Sequence, residues 1–338
     1  MPRSVLTILS IACLTACSGK PADQPASAPA PAAPAPAAEP AAPKTASLVR
    51  IGYQKIGSPF LLKERSTELD AQLAKAGARA EWVEFQAGPP LLEAMRAGAV
   101  DIGYVGETPP VFAQAGGVPF VYVAIEASAP ASEAILVPKS SKLKQVSELK
   151  GKKVAVNRGS NVHYLLVKAL ESAGLEIDDV QVTYLAPPDA RAAFDTGQVD
   201  AWVIWDPFQA AAEVAGARVL RDGQGLVVNQ FFYVARREFA EQNSALVGTV
   251  LEQFKVLTAW AKQNPEESAR ILAKSSGVAY EALLISEKRH VYEIHPITPE
   301  ILQQQQTIAD KFFGLKLIPR EVRTTEAYLA SAGLGSGS

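Results

Sequence analysis

Asn157-Arg158-Gly159-Ser160-Asn161 is the segment of this chain best equipped for chemistry. It joins a short apolar run to an amphipathic one, so it reads as a strand turning into a helix. Gly159 lets backbone come close to a ligand, and Ser160 and Asn161 can cap the helix or donate side-chain hydrogen bonds. Free backbone N–H groups at such an end favour an anion without any charged side chain. A plain N-cap is the alternative reading of the same residues, Asn157 to Asn161. Gly106-Glu107-Thr108-Pro109-Pro110 is a second junction of this kind. Thr108 can donate through hydroxyl and amide, and the prolines fall where a helix has no use for an N–H. Asp206-Pro207 is a third. Glu107 and Asp206 either hold a ligand amine or complement a helix dipole, and the sequence leaves both roles open. Gln54 either brings an amide donor to the end of the first strand or is a solvated loop residue. Trp205, at a strand end, can pack on an apolar ligand tail, whereas Trp202 is an odd number of residues away and faces the core. Gly88, at a helix start, and Ser132, on a connecting segment, complete the candidate ligand residues. His163 reads as a wall or surface residue rather than a catalyst.

Composition removes several classes of function. The 338 residues hold 33 Lys+Arg against 35 Asp+Glu, so no basic excess exists to bind a nucleic-acid backbone. Only two Cys occur, Cys13 and Cys17, without C-x-x-C spacing, which leaves no zinc or disulfide framework. Gly-x-Ser-x-Gly, Walker, His-Glu-x-x-His and Gly-x-Gly-x-x-Gly motifs are all missing, and no nucleophile has an evident base. The expectation is therefore a protein without catalytic residues, metal or cofactor. Mean hydropathy is +0.06. No stretch reaches the roughly 20 apolar residues of a membrane-crossing helix.

The elements that must position these junctions alternate strand and helix. Strands are expected at Leu48–Tyr53, Ala80–Phe85 and Val100–Val105, with helices at Leu61–Ala76 and Pro89–Ala97 between them. The series recurs as Lys153–Val156, Asn161–Ala173, Val180–Tyr184, Asp189–Thr196 and Val199–Trp205. Gly98-Ala99-Val100-Asp101 and Gly197-Gln198-Val199-Asp200 differ by a constant offset, which Glu107/Asp206 and Gly117/Gly216 share. Duplicated lobes explain that offset, although chance repetition of a common unit would also produce it. Crossover units imply a mostly parallel sheet in each lobe, with a ligand beyond the strands' carboxyl ends. The chain passes between lobes near Ser132 to Lys139 and returns near Val227 to Val234, so two segments form a hinge. Arg237 to Leu329 is expected to be mostly helical and to wrap back on the first lobe.

The start of the chain is not fold. Arg3 precedes an apolar run from Val5 to Leu14 of the length of a secretory signal core. Leu14-Thr15-Ala16-Cys17 resembles the processing signal of bacterial lipoproteins, which implies cleavage before Cys17 and lipidation there. The alternative is an ordinary signal cleaved elsewhere. Eight of the 24 Pro lie between Pro21 and Pro43, so Ser18 to Ser47 is an extended tether. At about 3.1 Å per residue it reaches roughly 90 Å. Only Arg3, Lys20 and Lys44, and Asp23 and Glu39, precede Leu48, so the head carries a net charge of -3.

Ile51-Gly52-Tyr53-Gln54-Lys55, Gly106 to Pro110, Ser132 to Pro138, Gly151 to Val167 and Asp189 to Phe208 resemble the aliphatic sulfonate-binding proteins of ABC importers, relatives of the taurine- and nitrate-binding proteins. The resemblance runs motif by motif from about Leu48 to Val322. It implies an α/β, two-lobe periplasmic binding protein fold (type II) with a two-segment hinge. It also implies capture of an alkanesulfonate between the lobes and delivery to a permease with its ATPase. The expected divisions are signal 1–16, lipidated Cys17 and tether 17–47, first lobe 48–134 and 231–330, second lobe 135–230, and flexible tail 331–338. Expected with them are a periplasmic monomer and contact with the membrane through the lipid anchor alone. A related oxyanion ligand, a same-fold enzyme and a sensory head are the alternatives.

Overall fold

The computed structural model describes residues 47–333. The expected signal, Cys17 and nearly all of the tether lie outside the described residues, as does most of the expected tail. Along the chain come β1 (Ser47–Tyr53), α1 (Gly57–Glu64), α2 (Thr67–Lys75), β2 (Ala78–Glu84), α3 (Gly88–Arg96), β3 (Ile102–Gly106), α4 (Thr108–Ala115) and β4 (Phe120–Glu126). Next are β5 (Glu133–Val137), β6 (Lys153–Val156), α5 (Asn161–Ser172), β7 (Gln181–Tyr184), α6 (Pro187–Asp195), β8 (Ala201–Trp205), α7 (Phe208–Val214) and β9 (Arg218–Asp222). The chain ends with β10 (Phe231–Arg236), α8 (Arg237–Gln242), α9 (Ser244–Gln263), α10 (Pro265–Ser276), α11 (Tyr280–Arg289), β11 (Ile294–His295) and α12 (Pro299–Gly314).

Two sheets form, in the orders β11-β4-β10-β3-β1-β2 and β7-β6-β8-β5-β9. Both contain the expected crossover core: β1 runs parallel to β2 and β3, and β6 to β7 and β8. The sheets as wholes are mixed rather than mostly parallel. β10 lies antiparallel to β3, and β5 antiparallel to β8. These are the strands by which the chain enters each lobe from the other. It arrives at the carboxyl ends of the parallel strands and can only run back against them. The crossings are 127–132 and 223–230, and the Ser132–Lys139 stretch expected to cross already contains β5.

The internal repeat has a physical basis in one carboxylate per lobe. Asp101 gives its N–H to Arg50 O and takes the Arg50 N–H on Oδ2 at 3.0 Å. Asp200 gives its N–H to Lys153 O and takes the Lys153 N–H on Oδ2 at 2.8 Å. Each Asp thereby sets the register between the first and third parallel strands. Gly98 and Gly197 precede them with φ of 74° and 71°, a left-handed helix stop that suits glycine.

The expected Leu61–Ala76 helix is two helices, broken at Arg65, whose guanidinium stacks 3.9 Å from the Trp260 ring centre. The C-terminal helices do more than cover the first lobe. α9 packs on α1 and α2, but α11 packs on α7. α12 reaches α5 through Lys311–Glu171 at 2.7 Å and through Phe312 against His163. Among the described residues no helix is long and apolar enough to cross a membrane.

Candidate functional site

A narrow cavity lies where the helix starts of both lobes meet. Gln54, Ile56, Gly88, Gly106 and Pro109 line it from the first sheet's side, Ser160, Asn161 and Trp205 from the second's, and Asn229 and Phe231 from the returning hinge. None of these side chains is charged. The starts of α3, α4 and α5 contribute Gly88, Pro109 and Asn161 to the wall, so the positive ends of helix dipoles converge on it. No side chain caps α5; the His163 N–H is taken by Ser160 O at 3.0 Å, which leaves the Asn161 and Val162 N–H groups at the start of the helix.

Several neutral donors gather here. Gln54 uses one amide hydrogen on Tyr104 O at 3.1 Å. Asn161 accepts the Thr108 N–H on Oδ1 at 3.2 Å and donates from Nδ2 to Asn229 Oδ1 at 2.6 Å. The second amide hydrogen of each is left for another acceptor. The Trp205 indole N–H and the Thr108 hydroxyl are buried without a partner. A buried donor left unpaired costs about 1–3 kcal/mol. An anion's oxygens would relieve that cost. Gly106 is required by this packing, because a Cβ there would fall 2.0 Å from Asn161 Oδ1.

Of the residues singled out in the sequence, Gln54, Gly88, Ser160, Asn161 and Trp205 therefore meet at one cavity, with Thr108 directly behind Asn161. The others stand elsewhere. Gly159 packs on Phe112, to which a Cβ would come within 3.1 Å, and its N–H is held by His163 Nδ1 at 3.2 Å. Asn157 ties the loop to Leu185 O. Ser132 donates to Ala129 O and receives Asn229 Nδ2, so it fastens the hinge. Glu107 takes the Gln230 N–H, and burial pushes its pKa up to about 7. Asp206 takes the Ala210 N–H and pairs with Arg289. His163 is a buried wall residue whose pKa is pushed down to about 4 by burial and then by Arg158. Arg158 itself is exposed and lies over the Tyr184 ring.

Ile56, Asn229 and Phe231 went unnoticed in the sequence because they stand outside any junction motif. Asn229 is the important one. It is buried at the returning crossing with φ of 50°. A second cavity of about 190 Å³ shares Gln54, Ile56 and Trp205 with the first and adds Phe85, Pro188 and Phe208 among others. It offers an apolar wall to whatever extends from an anionic head.

Comparison with known proteins identifies the family. The model of the NMT1-like family matches residues 62–275. A protein of Escherichia coli (strain K12) named for binding aliphatic sulfonates is 42% identical over 276 residues, covering 81% of this chain and 86% of that one. The taurine-binding periplasmic protein of the same strain is 30% identical over 68% of this chain and 73% of its own. The alkanesulfonate-binding protein of Xanthomonas axonopodis pv. citri, solved bound to MOPS, superposes with a TM-score of 0.80 at 36% identity. That match covers 87% of this chain and 99% of that one. These relatives are binding proteins, not enzymes.

Proposed function

The chain belongs to the NMT1-like family, among the aliphatic sulfonate-binding proteins of ABC importers, and from this we propose that it captures an alkanesulfonate at the cavity between the lobes and delivers it to a permease. The observation that carries the reading is the uncharged, donor-rich wall on which helix starts converge. A sulfonate presents three oxygens sharing one charge and stays ionised at ordinary pH, so neutral N–H and O–H donors can hold it without a countercharge. We assign the head to Gln54, Asn161, Trp205, Thr108 and the first N–H groups of α5, and the tail to the adjoining apolar wall. Capture rather than catalysis is favoured by His163. Both of its ring nitrogens are engaged, by the Gly159 N–H and the Tyr184 hydroxyl, so it has no free position for proton transfer.

A thermal-shift screen tests this. A ligand at a hundred times its Kd stabilises by about 2.7 kcal/mol. Ethanesulfonate should therefore raise the Tm by several degrees, and nitrate and sulfate should not. A shift with nitrate or sulfate and none with any sulfonate would replace this reading by the oxyanion one.

The location that fits is the periplasm, with Cys17 lipidated and the Ala/Pro tether carrying a monomeric head away from the membrane. The support is the sequence around Cys17 and its relatives' periplasmic names. Cys17→Ala should move the protein from the membrane to the soluble fraction, or block its processing. A variant processed and retained on the membrane like wild type would rule the anchor out.

A further inference from the structure

We infer that a crevice beside the hinge is a second binding site, one that takes a small organic ammonium compound with an apolar body. The crevice has a volume of about 340 Å³ and shares no lining residue with the sulfonate cavity. The two are interleaved along the same three segments. Gly106, Asn161 and Asn229 face the first, whereas Glu107, Tyr164 and Gln230 face the second. Its remaining walls come from the returning crossing, including Val227 and Val228, and from α12, including Gln304 and Ile308.

The chemistry of the occupant follows from what is left unsatisfied. Glu107 is 3% exposed. Its Oε2 takes the Gln230 N–H at 3.0 Å, while its Oε1 is buried without a partner. Glu133 is fully buried nearby, and neither of its carboxyl oxygens has a partner. Among the described residues neither Glu107 nor Glu133 has a cationic side chain within ion-pair distance. Burial, and then the neighbouring Glu107, hold the Glu133 carboxyl well above the usual carboxylate range, so the charge that draws a cation into the crevice is that of Glu107, which has no cationic partner and an acceptor oxygen to spare. Burial and the opposing pull of the Asn229 and Gln230 amides set the Glu107 pKa at about 7, so it is mostly ionised at pH 8. A bare metal ion would need several carboxylate or imidazole ligands converging on one point. No such group of three exists among the described residues. An ammonium needs one carboxylate, and the ring of Tyr164 and the Val227, Val228 and Ile308 side chains suit the hydrocarbon attached to it.

Calorimetry on the full chain at pH 8 tests this, with cyclohexylammonium chloride as probe and cyclohexanol as its neutral match. Saturable one-to-one binding of the ammonium is expected, at least tenfold tighter than that of cyclohexanol. Glu107→Gln should weaken it at least tenfold. Val228→Trp fills the crevice from its exposed edge and leaves both carboxyls in place. It should abolish ammonium binding while the thermal midpoint stays within a few degrees. The proposal is overturned if the ammonium does not saturate, if cyclohexanol binds as tightly, or if Glu107→Gln binds like wild type. One-for-one displacement of the ammonium by ethanesulfonate would overturn it too, by placing the ammonium in the first cavity. Ammonium binding by a chain that ignores every sulfonate would sink the transport reading and leave this one standing.

Discussion

Asn229→Ala is expected to weaken alkanesulfonate binding by about tenfold to a hundredfold and to cost about 3 kcal/mol of stability. Asn229 accepts from Asn161 Nδ2 at 2.6 Å and donates to Ala129 O at 2.9 Å and Ser132 Oγ at 3.1 Å. One side chain thus fastens both hinge crossings and aims the Asn161 amide at the cavity. Its loss removes these bonds and leaves a buried Asn161 N–H without a partner, at about 1–3 kcal/mol. Alanine at φ of 50° adds strain that asparagine tolerates better. Urea unfolding and calorimetry measure the two effects. Asn229→Gly separates them, since it relieves the backbone without restoring the bonds. If Asn229→Gly binds ethanesulfonate like wild type, the amide does not position Asn161.

Arg289→Ala is the second large effect, at about 3 kcal/mol near pH 8, the lower end of what breaking a buried pair costs. Arg289, at the end of α11, donates to both oxygens of Glu213 at 2.9 Å and to Asp206 at 3.4 Å. Burial already pushes the Asp206 pKa from 3.8 to about 7 against the pull of Arg289. Without the arginine it rises further, so the folded variant holds a proton that the unfolded chain releases at about pH 4. A raised folded pKa gives stability that is present at low pH and lost as pH rises. The deficit against wild type should therefore grow from pH 5 to pH 8, and Asp206→Asn in the same background should recover part of it. An equal deficit at both pH values would mean that Asp206 is not the group left stranded.

The crossover units were readable because their signals are local. The Gly stops and apolar runs each act within a few residues, and the Asp101/Asp200 repeat is visible as a constant offset, although each Asp bonds a strand 51 or 47 residues away. The antiparallel strands β5 and β10 were not readable, because an apolar run such as Ala134–Val137 carries no mark of the direction in which it will pair. The candidate site divides in the same way. Gln54, Ser160 and Asn161 stand at junctions whose geometry brings them to one cavity. Glu107 and Asp206 stand at equivalent junctions, yet neither lines that cavity: each bonds a partner distant in sequence, Gln230 through one carboxylate oxygen of Glu107 and Arg289 at Asp206. Gly159 looked like room for a ligand and instead makes room for Phe112. Asn229 has no motif at all, and its importance comes from three partners far away along the chain.

The most direct measurement is titration of one short alkanesulfonate into wild type, Asn161→Ala and Arg158→Ala by calorimetry. Asn161 lines the cavity, whereas Arg158, the cation of the same loop, is exposed over Tyr184. Wild type should bind one ethanesulfonate per chain. Asn161→Ala should bind it tenfold to a hundredfold more weakly, at about 1.4 kcal/mol per tenfold, with its melting temperature checked for loss of the α5 start. Arg158→Ala should bind within about threefold of wild type, the small change expected of an exposed charge. No binding by wild type, or binding abolished by Arg158→Ala and untouched by Asn161→Ala, would contradict capture by neutral donors in this cavity.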